Sequence, residues 1–192
     1  MSIRKLVGER CYLAPISSLS VEAYAKWDND LEVAIPLGDE AYLSTTVESL
    51  RNDLQGVFSK KSHIYDIVTL EDDLIIGRCM FFNINPTDRT AYIGIVIGEK
   101  DYWNKGYGAE ALQLLLEYGF NLLNFHNVTL GVFSYNKRAI RCYEKVGFKT
   151  IGRKREVRII GERKYDLIYM DMLAHELEVK YLKSLLDELD SE

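Results

Sequence analysis

The sequence has little with which to hold a metal. Cys11, Cys79 and Cys142 are an odd, scattered set without a Cys-x-x-Cys pair, and His63, His126 and His175 show no metal-ligand spacing. No zinc or dithiol redox site is expected, and reduced thiols in a cytoplasmic protein are the simplest expectation. No apolar run approaches a membrane span, and Met1–Lys5 lack the apolar stretch of a signal peptide, so no membrane role is expected. Basic residues are not in excess either. The 24 Lys and Arg against 29 Asp and Glu leave a formal charge of −5, which weighs against broad attraction to nucleic acid. Repeats and low-complexity linkers are absent. What remains is a chain of 192 residues, 47% hydrophobic, enough for one globular domain with a sizeable core.

One stretch organises the chain. Ile93, Ile95, Val96 and Ile97 read as a buried strand, a polar connection follows, and Gly106 and Gly108 open a helix whose apolar face includes Ala111, Leu112, Leu114, Leu115 and Leu116. A strand, a glycine-bearing loop and a helix start make an anion site, because the first turn of a helix has unpaired N–H groups and the positive end of its dipole. A P-loop is excluded, since no Lys-Ser/Thr follows either glycine. Gly106-Tyr-Gly108-Ala-Glu-Ala111 matches the dinucleotide pattern G-x-G-x-x-A, but Gly98 to Lys105 intervene after the strand. The next strand, Asn127 to Phe133, also lacks the ribose-binding acid. The stretch instead resembles the pyrophosphate loop of the GCN5-related N-acetyltransferases, written Gln/Arg-x-x-Gly-x-Gly/Ala. Trp103 stands where Gln or Arg is usual. With Tyr102, Gly106 and Tyr107 it resembles the branch that acetylates ribosomal-protein N-termini.

A second signature strengthens the resemblance. Asn136-Lys-Arg-Ala139-Ile-Arg-Cys-Tyr143-Glu-Lys-Val-Gly147-Phe148 is similar to the family's Asn-x-x-Ala-x-x-x-Tyr-Glu-Lys-x-Gly-Phe. Asn136 can cap its helix and bond a pantetheine amide. Ala139 is small enough for close approach. Tyr143 lies two helical turns beyond Asn136 on the same side, which could bring its hydroxyl near the cofactor sulfur.

The coarse reading of the chain agrees with such a fold. A first strand over residues 9–15 precedes a helix capped by Ser18 or Ser20 and ending before Asp28-Asn29-Asp30. A loop spans Leu31 to Leu43, and a second helix starts at Ser44 or Thr45 with Glu48 placed for a capping box. In the family this region forms one wall of the acceptor site. A three-strand meander covers residues 64–70, 74–82 and 90–97. Helix 106–123 and strand 127–133 then make a crossover with a parallel pair. Helix 137–146 and strands over 149–159 and 165–173 complete an α+β fold: a mixed, mostly antiparallel sheet flanked by helices around a central β-α-β crossover. Residues 1–173 are expected to form the acetyltransferase domain and 174–192 a helical extension. Leu177, Tyr181, Leu182, Leu185, Leu186 and Leu189 fall at helical spacing, which suits a helix packed on its own domain or a homodimer element.

The resemblance implies an acetyl-CoA-dependent N-acetyltransferase acting on a primary amine. Asn104, Lys105, Gly106, Tyr107, Gly108 and Ala109 would hold the pyrophosphate, with Lys105 and Lys137 or Arg138 as side-chain contacts. A backbone N–H of Ile95, Val96 or Ile97 would face the oxyanion, and Tyr143 would protonate the leaving thiolate. The base is missing from both usual carboxylate positions, which here are Tyr92 and Gly131. Glu99 could act through water. Asp28, Asp30, Glu32 and Glu40 could instead bind a cationic acceptor. A protein or peptide N-terminus is the first substrate expected, and a polyamine, an amino-sugar or an antibiotic amine the next. The rival of another class is a non-catalytic acyl-CoA-binding or sensor domain.

Overall fold

The computed structural model describes residues 3–58 and 63–189. Eight strands form a single sheet in the order β1-β2-β3-β4-β5-β6-β8-β7. They are β1 (Leu6–Val7), β2 (Cys11–Pro15), β3 (Ile64–Thr69), β4 (Ile75–Asn85), β5 (Thr90–Ile97), β6 (Asn127–Phe133), β7 (Lys149–Ile160) and β8 (Arg163–Leu173). Among the described residues, only β5 and β6 pair in parallel. The helices are α1 (Ser20–Asp28), α2 (Leu31–Leu37), α3 (Val47–Phe58), α4 (Tyr107–Asn121), α5 (Lys137–Val146) and α6 (Lys183–Leu189). The α+β expectation therefore holds.

Alternation along the strands divides the core in two. Ile67, Cys79, Phe81 and Ile93 face Ala111, Leu112, Leu115 and Leu116 of α4, with Tyr143 of α5 and Phe148 in the same layer. Val96 points to the opposite face and meets Val21, Tyr24, Trp27, Val33 and Leu54 of the N-terminal helices. The Trp27 indole lies so close over Gly98 that a Cβ there would come within 2.0 Å of it, so this glycine lets α1 dock on the end of β5.

Several local expectations need correcting. Residues 31–43 are not a loop. The Asp30 side chain caps α2 by accepting the Glu32 N–H at 3.0 Å, and Pro36 is tolerated in the last turn of a helix that ends at Gly38. Neither Ser18 nor Ser20 caps α1: Ser20 turns inward and donates to the buried Asp66. The box at α3 pairs Thr46 with Ser49 rather than involving Glu48. The short β1 pairs with β2 and was not foreseen.

The C-terminal segment differs most. The leucine spacing predicted a helix from residue 174, yet α6 begins only at Lys183. The chain before it is captured by the fully buried Glu117 of α4, whose carboxylate accepts N–H bonds from Lys180, Tyr181 and Leu182 at 2.8, 2.9 and 2.8 Å. Three backbone donors spent on one carboxylate are unavailable to a helix. Leu182 is buried and Leu186 packs on the main core, while Leu185 and Leu189 stay exposed. Replacing Glu117 by Ala strands these donors and should lower unfolding stability by about 3 kcal/mol, read as a shifted urea midpoint. An unchanged midpoint would mean that the segment contributes nothing to the fold.

Candidate functional site

The site arises where two strands part. β5 and β6 pair only over Thr90–Tyr92 with Asn127–Thr129. Beyond that each keeps its outer neighbour: β5 stays with β4 up to Ile97, and β6 stays with β8 up to Phe133. Their inner edges separate and leave peptide groups without strand partners, groups that normally demand a hydrogen bond. A cavity of about 570 Å³ fills the division.

The N-terminus of α4 closes one side. Gly106, at φ 91°, takes the left-handed conformation that turns the loop into the helix. The first intrahelical bond runs from Glu110 N to the Gly106 carbonyl at 3.1 Å, and no side chain caps the helix. The N–H groups of its first turn are thus left for a ligand. The loop itself is rigidly held. Buried Glu110 accepts from the backbone N–H groups of Arg10 and Cys11 at 2.7 and 3.1 Å, and Arg10 Nη1 donates to the Lys105 carbonyl at 3.2 Å.

Helix α5 forms the opposite side. Asn136 caps it by accepting the Ala139 N–H at 3.1 Å, and donates through Nδ2 to the Pro36 carbonyl at 3.3 Å. Arg138, Arg141 and Lys145 line the cavity together with Cys142 and Tyr143. Burial pushes the Tyr143 hydroxyl well above its ordinary value, so it keeps its proton at neutral pH. Trp103 spans the gap at the loop. Its Nε1–H donates to the Ile97 carbonyl at 2.6 Å, and the Arg138 guanidinium stacks on its ring at 3.4 Å.

Ile95, Val96, Ile97, Asn104, Gly106, Gly108, Ala109, Asn136, Ala139 and Tyr143 are brought together around this cavity. Lys105 and Tyr107 are not in its lining: the Tyr107 ring packs edge-on to Tyr102, and the Lys105 ammonium lies 5.7 Å from the Tyr102 ring centre. Glu99 is also elsewhere. Burial works against its charge, but hydrogen bonds from Lys26 at 2.7 Å and Trp27 at 2.9 Å hold it below the usual carboxylate range. Of the four wall acids, Asp28 pairs with Arg78 at 2.8 Å, and Asp30 and Glu32 both pair with Lys100. Glu40 alone lines the cavity. Sequence reasoning missed Arg141 and Lys145. Their spacing with Arg138 puts all three on one side of α5, a signal that was readable. It also missed Arg78, Met80 and Phe82, which needed the strand register to be placed.

The family model described as the GNAT acetyltransferase domain matches residues 10–149. The chain belongs to the GNAT acetyltransferases. It is 26% identical over 176 residues to an N-acetyltransferase named p20 of Bacillus licheniformis, covering 89% of this chain and 97% of that one. A spermidine N(1)-acetyltransferase of Vibrio cholerae is 29% identical over 137 residues, covering 68% and 75%. A solved acetyltransferase of Bacillus anthracis superposes with a TM-score of 0.76 at 24% identity, covering 89% and 99%. The Vibrio cholerae spermidine enzyme in complex with CoA and spermine gives 0.78 at 22%, covering 86% and 96%.

This GNAT enzyme is therefore an N-acetyltransferase that uses acetyl-CoA. The cavity suits such a substrate: an uncapped helix N-terminus and three cations match its phosphates, and the apolar groove between the strands can take an extended pantetheine arm. A Cβ on Gly108 would make only ordinary contacts, 3.6 Å to Cys142 Sγ and 3.7 Å to Ile97 Cγ1. Gly108→Val should consequently fold, yet crowd the helix N-terminus. Its affinity for acetyl-CoA should fall at least about tenfold, roughly 1.4 kcal/mol, by calorimetry. Unchanged affinity would remove Gly108 from the cofactor site.

Proposed function

We propose that the acceptor is the α-amine of a peptide or protein N-terminus, acetylated in the cytoplasm. The observation that carries this reading is the state of the acids on the acceptor side. A polyamine presents several ammonium groups and calls for several available carboxylates. Here Asp28 is paired with Arg78, Asp30 and Glu32 share the one cation of Lys100, none of the three lines the cavity, and Glu40 is the one carboxylate among the described residues of the lining. Leu37, Met80, Phe82 and Phe133 line the same cavity, a setting for one amine with an apolar neighbour. The Tyr102-Trp103-x-x-Gly106-Tyr107 signature favours the same acceptor, and a putative ribosomal N-acetyltransferase of Bacillus subtilis is 25% identical over 146 residues. The similarity to spermidine acetyltransferases supports a polyamine as the second reading. An amine panel read by thiol release separates the two. The N-terminal reading expects short peptides to exceed spermidine in kcat/KM, and falls if spermidine leads.

In the reaction we infer, the free amine attacks the thioester carbonyl. The C–N bond forms as the carbonyl becomes a tetrahedral oxyanion, which accepts a hydrogen bond from an inner-edge N–H of Ile95–Ile97. The C–S bond then breaks, and Tyr143 gives its proton to the leaving sulfur. The amine's proton passes to solvent, which also restores the tyrosine. Asn104, Gly106, Gly108 and Ala109 hold the pyrophosphate through the backbone, with Arg138, Arg141 and Lys145 in the wall of the same cavity. Tyr143→Phe keeps the ring that packs 5.9 Å from Phe148 and removes only the hydroxyl. Turnover should fall about 10²-fold with little change in acetyl-CoA affinity. Weak binding with intact turnover at saturation would make the hydroxyl a positioning group instead.

A further inference from the structure

The acceptor half of the cavity contains a fixed cation with hydrogen-bonding capacity to spare. Arg78, Met80 and Phe82 alternate onto one face of β4, opposite Val96, Gly94 and Tyr92 of β5. Val33, Pro36 and Leu37 of α2 line the same cavity. The guanidinium of Arg78 is locked before any ligand arrives. Nη2 donates to Asp28 Oδ1 at 2.8 Å, and the group lies 4.6 Å from the Tyr24 ring centre. The Tyr24 hydroxyl donates to Asp66 at 2.6 Å, as does Ser20 at 2.5 Å. Asp66 is itself the register partner of Arg78 on β3.

A guanidinium carries five N–H groups in a rigid fork. Asp28 takes one at 2.8 Å and a second, from Nη1, at a long 3.5 Å. Among the described residues nothing else accepts from Arg78, and the side chain forms part of the cavity wall. Neutralising Asp28 therefore uses only part of the fork. The remaining N–H groups have no acceptor among the described residues, and Arg78 lines the same cavity as Glu40, whose carboxylate has no ion-pair or hydrogen-bond partner among the described residues.

We propose that Arg78 is an acceptor-specificity residue that reads an oxygen on the carbon next to the amine-bearing carbon. The preferred acceptors are then compounds with the N–Cα–C=O unit, such as peptide N-termini and amino-acid amides, rather than plain alkylamines. This inference rests on the N-terminal reading of the acceptor. Glu40 draws in the ammonium, and the guanidinium takes the carbonyl oxygen. A plain alkylamine leaves those donors unpaired when it displaces water. A site built to bond a polar group rejects an analogue lacking it far more strongly than an apolar pocket rejects a missing methylene.

The test compares alaninamide with isopropylamine, which has a methyl in place of the carboxamide. Values of kcat/KM are expressed per unprotonated amine, for the wild type and for Arg78→Lys. Lysine keeps a charge for Asp28 but loses the fork. The wild type should prefer alaninamide by at least about tenfold. The variant should bring that ratio close to one, with the KM for acetyl-CoA unchanged. Free alanine distinguishes the two oxygen sources: faster turnover than alaninamide assigns a carboxylate, slower turnover a neutral carbonyl. Should Arg78→Lys fail to fold, the wild-type ratio alone decides, and a ratio near one overturns the proposal. If peptides are acetylated while Arg78→Lys leaves the ratio unchanged, Arg78 has no role in specificity and the N-terminal reading stands. If spermidine is turned over and no peptide is, both fall.

Discussion

The separation of β5 from β6 is the constraint on which the site depends. Parallel strands normally satisfy each other's peptide groups along their full length. Here pairing stops after Tyr92 and Thr129, and each strand continues with its outer neighbour only. Keeping the strands apart requires bracing on both sides. Trp27 pins the end of β5 by lying over Gly98. On the β6 side, the Tyr135 hydroxyl donates to the Ile35 carbonyl at 2.8 Å and Asn136 donates to that of Pro36. The two bonds to α2 hold the turn leading into α5. Helix α2 is thus both a wall of the cavity and a strut between its two sides.

Trp103 bears on the same gap. Its indole occupies the Ile97 carbonyl, one of the inner-edge groups, and stacks under Arg138 from the far side. A Gln or Arg at this position, as is usual in the family, would offer a flexible polar arm. The tryptophan instead links the end of β5 to the first turn of α5 through an aromatic surface. Arg138 gains a fixed orientation from the stack, while burial lowers its pKa from the ordinary value. The loop before α4 and the first turn of α5 are thereby tied together across the cavity.

Much of this was legible in the sequence, because local and global signals agreed. Strand periodicity gave the meander, and Gly106 and Asn136 marked two helix starts whose roles differ: one uncapped, one capped by its own side chain. The failures share a cause. Residues 31–37 looked like a loop because Pro36 and Gly38 dominate a short segment, although Asp30 provides a cap and a single proline fits a last turn. The helix expected from residue 174 was overridden by Glu117, more than 60 residues away in sequence, whose carboxylate claims three N–H groups. Glu99 and Asp28 looked available because composition shows charges and not their partners. Arg78 became visible only with the register that sets it beside Val96 and Asp66.

The absence of a carboxylate at Tyr92 and Gly131 bears on the choice of acceptor. An alkylammonium, with a pKa of about 10.4, gives up its proton at neutral pH only with help, whereas an α-amine at about 7.7–8.0 is already partly free. The cavity favours the free form of either one, since removal from water penalises the charged amine. This effect moves a pKa by a unit or two far more readily than by four. A site that lacks a carboxylate at both usual base positions is better matched to the amine that needs least deprotonation. On this ground the carboxylates missing at Tyr92 and Gly131 count for the proposed peptide N-terminus and against an alkylamine.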